Sequence, residues 1–372
     1  MSILYFSYDT IKSPIVKSQV LPILKELQKN QKTYLLSFEN TDIKRINKKH
    51  YILKYNNSTL SKIFIFLYSI FFLIRLCKKK KIKIFITRSY VPQIISLFVK
   101  YFTNIKIIFD IRGYWFDEKK DFRSINFLVY KLLKMIEKFL YRKADRVITL
   151  SNLSKIYISR KFGIDIKNIK SVTTFADIKK IKYIKKTKSN VLRLAYIGSL
   201  TNSYDFLTTT KFLKRLNELT KKWNMTVFNI GEEDYFTNLI SNYPDLKSKI
   251  IYTNFLNKNK ISIILKHFDV GLYFIHPTFS KTASCPTKLG EFLASGTPVI
   301  TNPKIGDINN IIMKNKCGLI IDKKSIKNFQ IKKILDLKNK KFHQNSRKTA
   351  LKFFNFKKEF IKYKNLIDDL SF

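Results

Sequence analysis

Short apolar runs rich in Ile, Phe and Val alternate along this chain with stretches whose apolar residues return at helical spacing. The first pattern is that of strands buried on both faces, the second that of helices packing one side. In the first half, strands are expected at 3–8, 33–38, 51–55, 83–87, 105–111, 146–150 and 170–174. Helices are expected between most of them, at 15–29, 60–80, 91–102, 124–142 and 152–161. The second half repeats the theme. Strands are expected at 192–197, 225–230, 250–252, 270–274, 297–301 and 318–321, with helices at 206–221 and 258–266, a segment 307–314 that with the last strand closes the sheet, and a last helical region at 347–369. This alternation implies an α/β protein with parallel sheets covered on both faces. Between the halves, residues 177–190 crowd Lys179, Lys180, Lys182, Lys185, Lys186 and Lys188 with little periodicity, and read as an interdomain linker. The expected division is 1–176, the linker 177–190, a second domain 191–345, and a terminal helix 346–372.

Composition changes this picture in two ways. The 372 residues suffice for two domains, and 72 Lys and Arg against 26 Asp and Glu leave a formal charge of +46. Such an excess suits an anionic partner, either nucleic acid or an anionic membrane surface. It is also what a Lys-, Ile- and Asn-rich, AT-biased coding sequence produces. The basic residues are scattered except for 78–81, and no nucleic-acid motif accompanies them, so nucleic acid is the weaker partner. Three widely spaced cysteines argue against a zinc site or a disulfide framework and fit a reducing cytosol. The first residues read as a strand rather than a signal peptide, so a cytoplasmic location is expected. The longest apolar run, 63–74, is flanked by Lys62 and Arg75 and falls short of the ~20 residues that span a bilayer. It reads as a buried or half-buried helix, with dipping into an anionic leaflet as the alternative; peripheral attachment to the inner face of the membrane would follow.

The densest chemistry lies at 280–301, Ser-Lys-Thr-Ala-Ser-Cys-Pro-Thr-Lys-Leu-Gly-Glu-Phe-Leu-Ala-Ser-Gly-Thr-Pro-Val-Ile-Thr. Pro286 is tolerated only near a helix start, so Ser284 or Cys285 is the expected N-cap, and Gly296 the expected terminator. Thr287, Lys288 and Glu291 then share one face. Free amides at the helix start beside Lys288 suit a pyrophosphate, and Glu291, one turn further in, suits a ribose diol. Lys281 either neutralises a departing diphosphate or is a solvated loop lysine. Gly198 and Gly231 sit at expected strand ends, where open α/β sheets bind ligands. A second concentration, Phe-Asp-Ile-Arg-Gly-Tyr-Trp-Phe-Asp-Glu at 109–118, ends a strand in a polar-aromatic loop. There Asp110 and Arg112 either line a site or pin the loop, and Trp115 either stacks on a sugar or packs. Arg88, in Thr-Arg-Ser-Tyr at 87–90, ends another strand.

The segment at 280–301 resembles the donor-binding motif of bacterial retaining GT-B glycosyltransferases, of the family-four-like type that builds capsules, O-antigens and exopolysaccharides. Glu291 matches the second acid of their Glu-x7-Glu motif, and Gly-Thr-Pro-Val-Ile at 296–300 the strand that follows. The first acid falls at Ala283, a departure that leaves the contacts to the transferred sugar unassigned. The Pro-Thr-Lys-Leu-Gly-Glu form and the Phe-Asp-x-Arg-Gly-x-Trp loop are similar to one branch of that family. The resemblance implies two Rossmann-like doubly wound domains facing a cleft, with the last helix crossing back to the first domain. It implies donor binding by Gly198, Gly231, Lys281, Ser284, Thr287, Lys288 and Glu291, catalysis by Asp110, Arg112 and Lys288, and acceptor contacts from Arg88 and Trp115. The implied partners are a nucleotide sugar and a glycan or lipid-linked acceptor. No cofactor is expected, and no metal, since Asp-x-Asp is missing from the sequence. A nucleotide-sugar epimerase of the same fold, and a non-catalytic basic module binding nucleic acid or membrane, are the rival readings.

Overall fold

The structure, a computed structural model, describes residues 2–122, 124–187, 189–254 and 261–370. The chain divides into two compact units, Met1–Val172 with Glu359–Phe372, and Thr173–Lys358.

In the first unit, seven parallel strands run in the order β3-β2-β1-β4-β5-β6-β7. They are β1 (Ser2–Ser7), β2 (Lys32–Glu39), β3 (His50–Lys54), β4 (Ile82–Arg88), β5 (Lys106–Asp110), β6 (Arg146–Thr149) and β7 (Ile169–Ser171). Their crossovers carry α1 (Leu21–Asn30), α2 (Thr59–Lys80), α3 (Tyr90–Tyr101), α4 (Trp115–Asp121), α5 (Phe127–Lys143) and α6 (Asn152–Phe162). Pro22 cannot donate within a regular helix, and the chain before it winds as a π-helical turn, Val16–Val20, where one continuous helix was expected. The helix expected at 124–142 begins at Phe127, because Asn126 caps it by accepting the Val129 amide at 2.9 Å.

The second unit holds six parallel strands in the order β10-β9-β8-β11-β12-β13. They are β8 (Leu192–Ile197), β9 (Trp223–Phe228), β10 (Ile250–Thr253), β11 (Val270–Leu272), β12 (Val299–Thr301) and β13 (Gly318–Ile320). Helices α7 (Phe206–Leu219), α8 (Glu233–Ser241), α9 (Pro244–Lys247), α10 (Ile261–Leu265), α11 (Thr287–Ala294), α12 (Ile308–Asn315), α13 (Ile331–Asp336), α14 (Lys340–Phe353) and α15 (Phe356–Asp368) complete the chain. Residues 258–260 of the helix expected at 258–266 lie outside the described residues.

Two expectations are corrected. Residues 177–190 belong to the second unit rather than bridging as a free linker: the Lys182 amide donates to Ser262 Oγ at 3.0 Å, and Lys186 Nζ to the Leu265 carbonyl at 2.7 Å. Lys188 lies outside the described residues. The terminal helical region is two helices, because Phe354 turns into the core against Gly290, where a Cβ would come within 3.3 Å of its ring. The Phe354 carbonyl there accepts the Ala176 amide at 2.9 Å. Residues 346–358 count with the second unit and only those from Glu359 with the first.

Candidate functional site

Parallel doubly wound sheets bind ligands beyond the carboxyl ends of their strands, where the strand order reverses. In the second unit that point lies between β8 and β11. Gly198 leaves β8 with φ +133°, and a Cβ there would meet the Tyr204 ring at 3.6 Å, so glycine keeps the loop tight. The loop that follows is held by Glu232. Its carboxylate accepts the Leu200 amide at 2.8 Å, Ser199 Oγ at 2.9 Å and Asn229 Nδ2 at 2.6 Å, together with Thr201 Oγ1. Burial works to raise the Glu232 pKa, but the hydrogen bonds from Thr201, Leu200, Ser199 and Asn229 outweigh it and hold the acid below its ordinary value. Gly231, at φ +86°, makes the turn that delivers Glu232.

Lys281 reaches the same loop from the other side of the reversal point. It lies on the turn Phe279–Ala283, is buried, and donates from Nζ to Ser203 Oγ at 2.6 Å. The solvated-lysine alternative is thereby set aside. The turn is anchored through the Lys281 carbonyl, which accepts the amides of Ser284 at 3.0 Å and Gly306 at 3.0 Å. Asn302, after β12, pairs with both backbone groups of Ile275, at 2.8 and 2.9 Å.

The motif helix α11 starts one residue later than expected. Pro286 itself is the N-cap, and neither Ser284 nor Cys285 caps it; no side chain does. Pro286 contributes no N–H there, in keeping with its fixed φ of −62°. Thr287 is the first helical residue, and Lys288 Nζ donates to Glu291 Oε2 at 2.7 Å, both side chains half-buried. Tyr204 lies in the field of Glu291: burial first, and that carboxylate second, push its pKa up to about 12. Gly296, at φ +76°, ends the helix. Gly198, Lys281 and Glu291 thus converge through Ser203 and Tyr204. Ala283 is buried. Cys285 is buried too, with Thr174 Oγ1 at 3.2 Å from its sulfur.

In the first unit, Arg88 and Asp110 end adjacent strands and stand opposite one another in register. Asp110 is wholly buried, and its Oδ2 accepts Arg112 Nη2 at 2.7 Å, Arg112 Nε at 3.1 Å, the Tyr5 hydroxyl at 3.2 Å and the Tyr363 hydroxyl. Tyr363 accepts in turn from Arg112 Nη2 at 2.8 Å. Oδ2 is thus taken up by its own scaffold, as the pinning alternative expects, while the buried Asp110 Oδ1 finds no partner among the described residues. Arg88 is 4% exposed, pairs through Nε with Asp9 at 3.1 Å, and its Nη1 finds no partner among the described residues. Trp115 is half-exposed, with Lys119 Nζ 5.6 Å from its ring centroid.

Glu232, Asn229, Ser203, Tyr204 and Asn302 escaped sequence reasoning. An acid directly after the strand-end glycine at 231 was the available signal for the first. Asn229 bonds Glu232 three residues on, whereas the contacts of Ser203 with Lys281 and of Asn302 with Ile275 join residues far apart in the chain.

Residues 177–353, which lie within the second unit, match the family described as Glycosyl transferases group 1. An uncharacterized glycosyltransferase of Methanocaldococcus jannaschii is 26% identical over 269 residues, 66% of this chain and 64% of that protein, so the match spans somewhat less than two thirds of the relative's length. Among solved structures, a glycosyltransferase from Rickettsia africae superposes with a TM-score of 0.74 at 19% identity, covering 99% of this chain and 98% of its own. Sucrose-phosphate synthase from Thermosynechococcus elongatus gives 0.77 at 12% identity, covering 99% and 98%. The Anabaena protein HepE in complex with UDP and glucose gives 0.73 at 11% identity, covering 98% and 99%. The fold is that of GT-B glycosyltransferases.

Proposed function

We propose that the protein moves a sugar from a nucleoside-diphosphate donor to a surface glycan or its lipid-linked precursor, with retention at the anomeric carbon and without a metal. One observation carries this reading: Gly198, Lys281 and Glu291 gather at the strand-order reversal of the unit whose sequence matches group 1 glycosyltransferases. The complex of HepE with UDP and glucose supports the same class of donor.

In this reading the diphosphate meets the start of α11, where amides and the positive helix end favour negative charge. Lys288 exchanges its Glu291 partner for the departing phosphate. Glu291, released, grips the ribose hydroxyls, while Lys281, Ser284 and Thr287 supply further charge and hydrogen bonds. Catalysis of this kind is positioning and charge stabilisation on the leaving group. Arg88 and Trp115 are assigned to the acceptor, since the free Nη1 of Arg88 can take a phosphate or hydroxyl oxygen. The epimerase and basic-module readings gain nothing from the family match.

Calorimetric titration with UDP, GDP, ADP and their sugars tests the proposal. Saturable binding of one nucleotide class, with sugar release that needs an acceptor, is the expected result. Failure of every nucleotide to bind, or conversion of the donor sugar without any acceptor, overturns it.

A further inference from the structure

We propose that the joined outer faces of α2, α3 and α5 lie against the surface of an anionic bilayer. The connections β3→β4, β4→β5 and β5→β6 all step the same way across the sheet, so right-handed crossovers put these helices on one side. α2 packs on α3, with the rings of Phe66 and Phe98 6.2 Å apart, and α3 packs on α5.

An outward helix face in water is normally polar. Here α2 exposes Leu60, Ile63, Phe64, Leu67, Tyr68 and Phe71 at helical spacing for three turns, then Arg75, Lys78 and Lys79. Leu60 is 81% exposed and Phe71 72%. The opposite side of α2 is equally apolar, but Ile65, Leu73, Leu76 and Cys77 there belong to the core. α3 adds Tyr101, 85% exposed, with Phe98 and Phe102. α5 adds Leu128, Leu132, Met135 and Phe139, interleaved with Lys131, Lys138, Arg142 and Lys143. Neither α2 nor α3 contains an acid, and the one acid of α5, Glu137, is buried and bound to Lys134 and Tyr90. Contiguous apolar surface of this extent marks an interaction site.

The sign of the flanking charge selects the occupant. Exposed apolar side chains among cations with no accessible acid on these helices suit the headgroup and upper acyl region of an anionic leaflet. A hollow of about 520 Å³ beside α2, lined by Phe64, Tyr68, Phe72 and Tyr51 with Arg45 and with Lys54, which pairs with the exposed Asp42 at 2.6 Å, continues the aromatic surface to the sheet edge. Although its longest apolar run, 63–74, falls short, the 22-residue α2 as a whole is by length and composition apolar enough to cross a membrane; spanning would strip its inner face from the core, so it lies on the surface. The proposal is independent of the donor reading.

Vesicle flotation of the full chain decides it, with phosphatidylcholine vesicles and the same vesicles holding roughly a third phosphatidylglycerol. The wild type should bind the anionic vesicles about tenfold more tightly, and alkaline carbonate should release it. The double variants Phe64→Ser/Phe71→Ser and Lys78→Gln/Lys79→Gln should each weaken that binding about tenfold while titrating nucleotides like wild type. Equal binding to both vesicles, wild-type binding by the folded Lys variant, resistance to carbonate, or a vesicle-free dimer abolished by either variant would overturn it.

Discussion

Lys281 Nζ donates to Ser203 Oγ at 2.6 Å, across 78 positions of sequence, and so joins the turn after β11 to the loop after β8. The bond straddles the reversal of strand order, where a nucleotide is proposed to sit, so a buried cation both shapes that site and charges it. Replacement by Met should remove both roles. Lys281→Met is expected to raise the nucleotide dissociation constant about tenfold, close to 1.4 kcal/mol, with Lys281→Arg recovering part of the loss. Calorimetry on the two variants checks this, and equal affinity in Lys281→Met and wild type refutes the charging role.

Lys288 and Glu291 are paired at 2.7 Å but are assigned to different parts of the donor, so their variants should separate kinetically. Glu291→Ala removes a ground-state ribose contact and should raise the donor KM about tenfold with a smaller change in kcat. Lys288→Ala removes charge needed as the diphosphate departs and should lower kcat about a hundredfold. Steady-state rates at varied donor concentration make the distinction, and wild-type values in both would sink the assignment.

Glu232 holds the loop 199–201 with several hydrogen bonds and is kept ionised below its usual range by Thr201, Leu200, Ser199 and Asn229 despite burial. A depressed carboxylate contributes stability that is complete above its unfolded pKa and lost as pH falls through the folded value. Glu232→Gln should therefore cost about 1–2 kcal/mol at neutral pH, with the difference from wild type shrinking below about pH 4. Denaturant titrations of both proteins across pH 3–7 measure it.

Lys186 is half-buried, its ammonium enclosed beside the Leu265 carbonyl and Thr297 Oγ1, and this desolvation brings its pKa from 10.5 down to about 7. Between those two values the unfolded chain holds a proton that the folded chain has released. Stability should therefore rise with pH from about 7 to 10.5, the reverse of an ordinary paired lysine. In Lys186→Met this rise should vanish. Melting temperatures of the two proteins at pH 7 and pH 9 provide the comparison; parallel profiles would place the ammonium in a better-solvated position.

Tyr363 reaches Asp110 from 253 residues away, in the segment that rejoins the first unit. Tyr363→Phe leaves the buried carboxylate with one donor fewer and should destabilise the first unit by about 1–3 kcal/mol. Because the proposed nucleotide site is built from residues of the second unit, nucleotide affinity should stay unchanged. Urea unfolding and nucleotide titration of the variant test both halves of the statement.

Element order was legible in the sequence because hydrophobic periodicity is local: the spacing of Leu289, Phe292 and Leu293 makes a helix wherever it occurs, and Val299–Thr301 a buried strand. The motif at 280–291 also showed its chemistry, since Pro286 restricts where a helix begins and Lys288 and Glu291 are neighbours by helical geometry alone. Tertiary structure decided what rests on partners distant in sequence. It buried Lys281 against Ser203, closed the loop after Gly198 with Glu232, and bound Asp110 to Tyr363. It also decided which side of α2 is free. That helix is apolar on both sides, so periodicity gives no direction, and only the sheet that covers Leu73 and Leu76 leaves Phe64 and Phe71 facing outward.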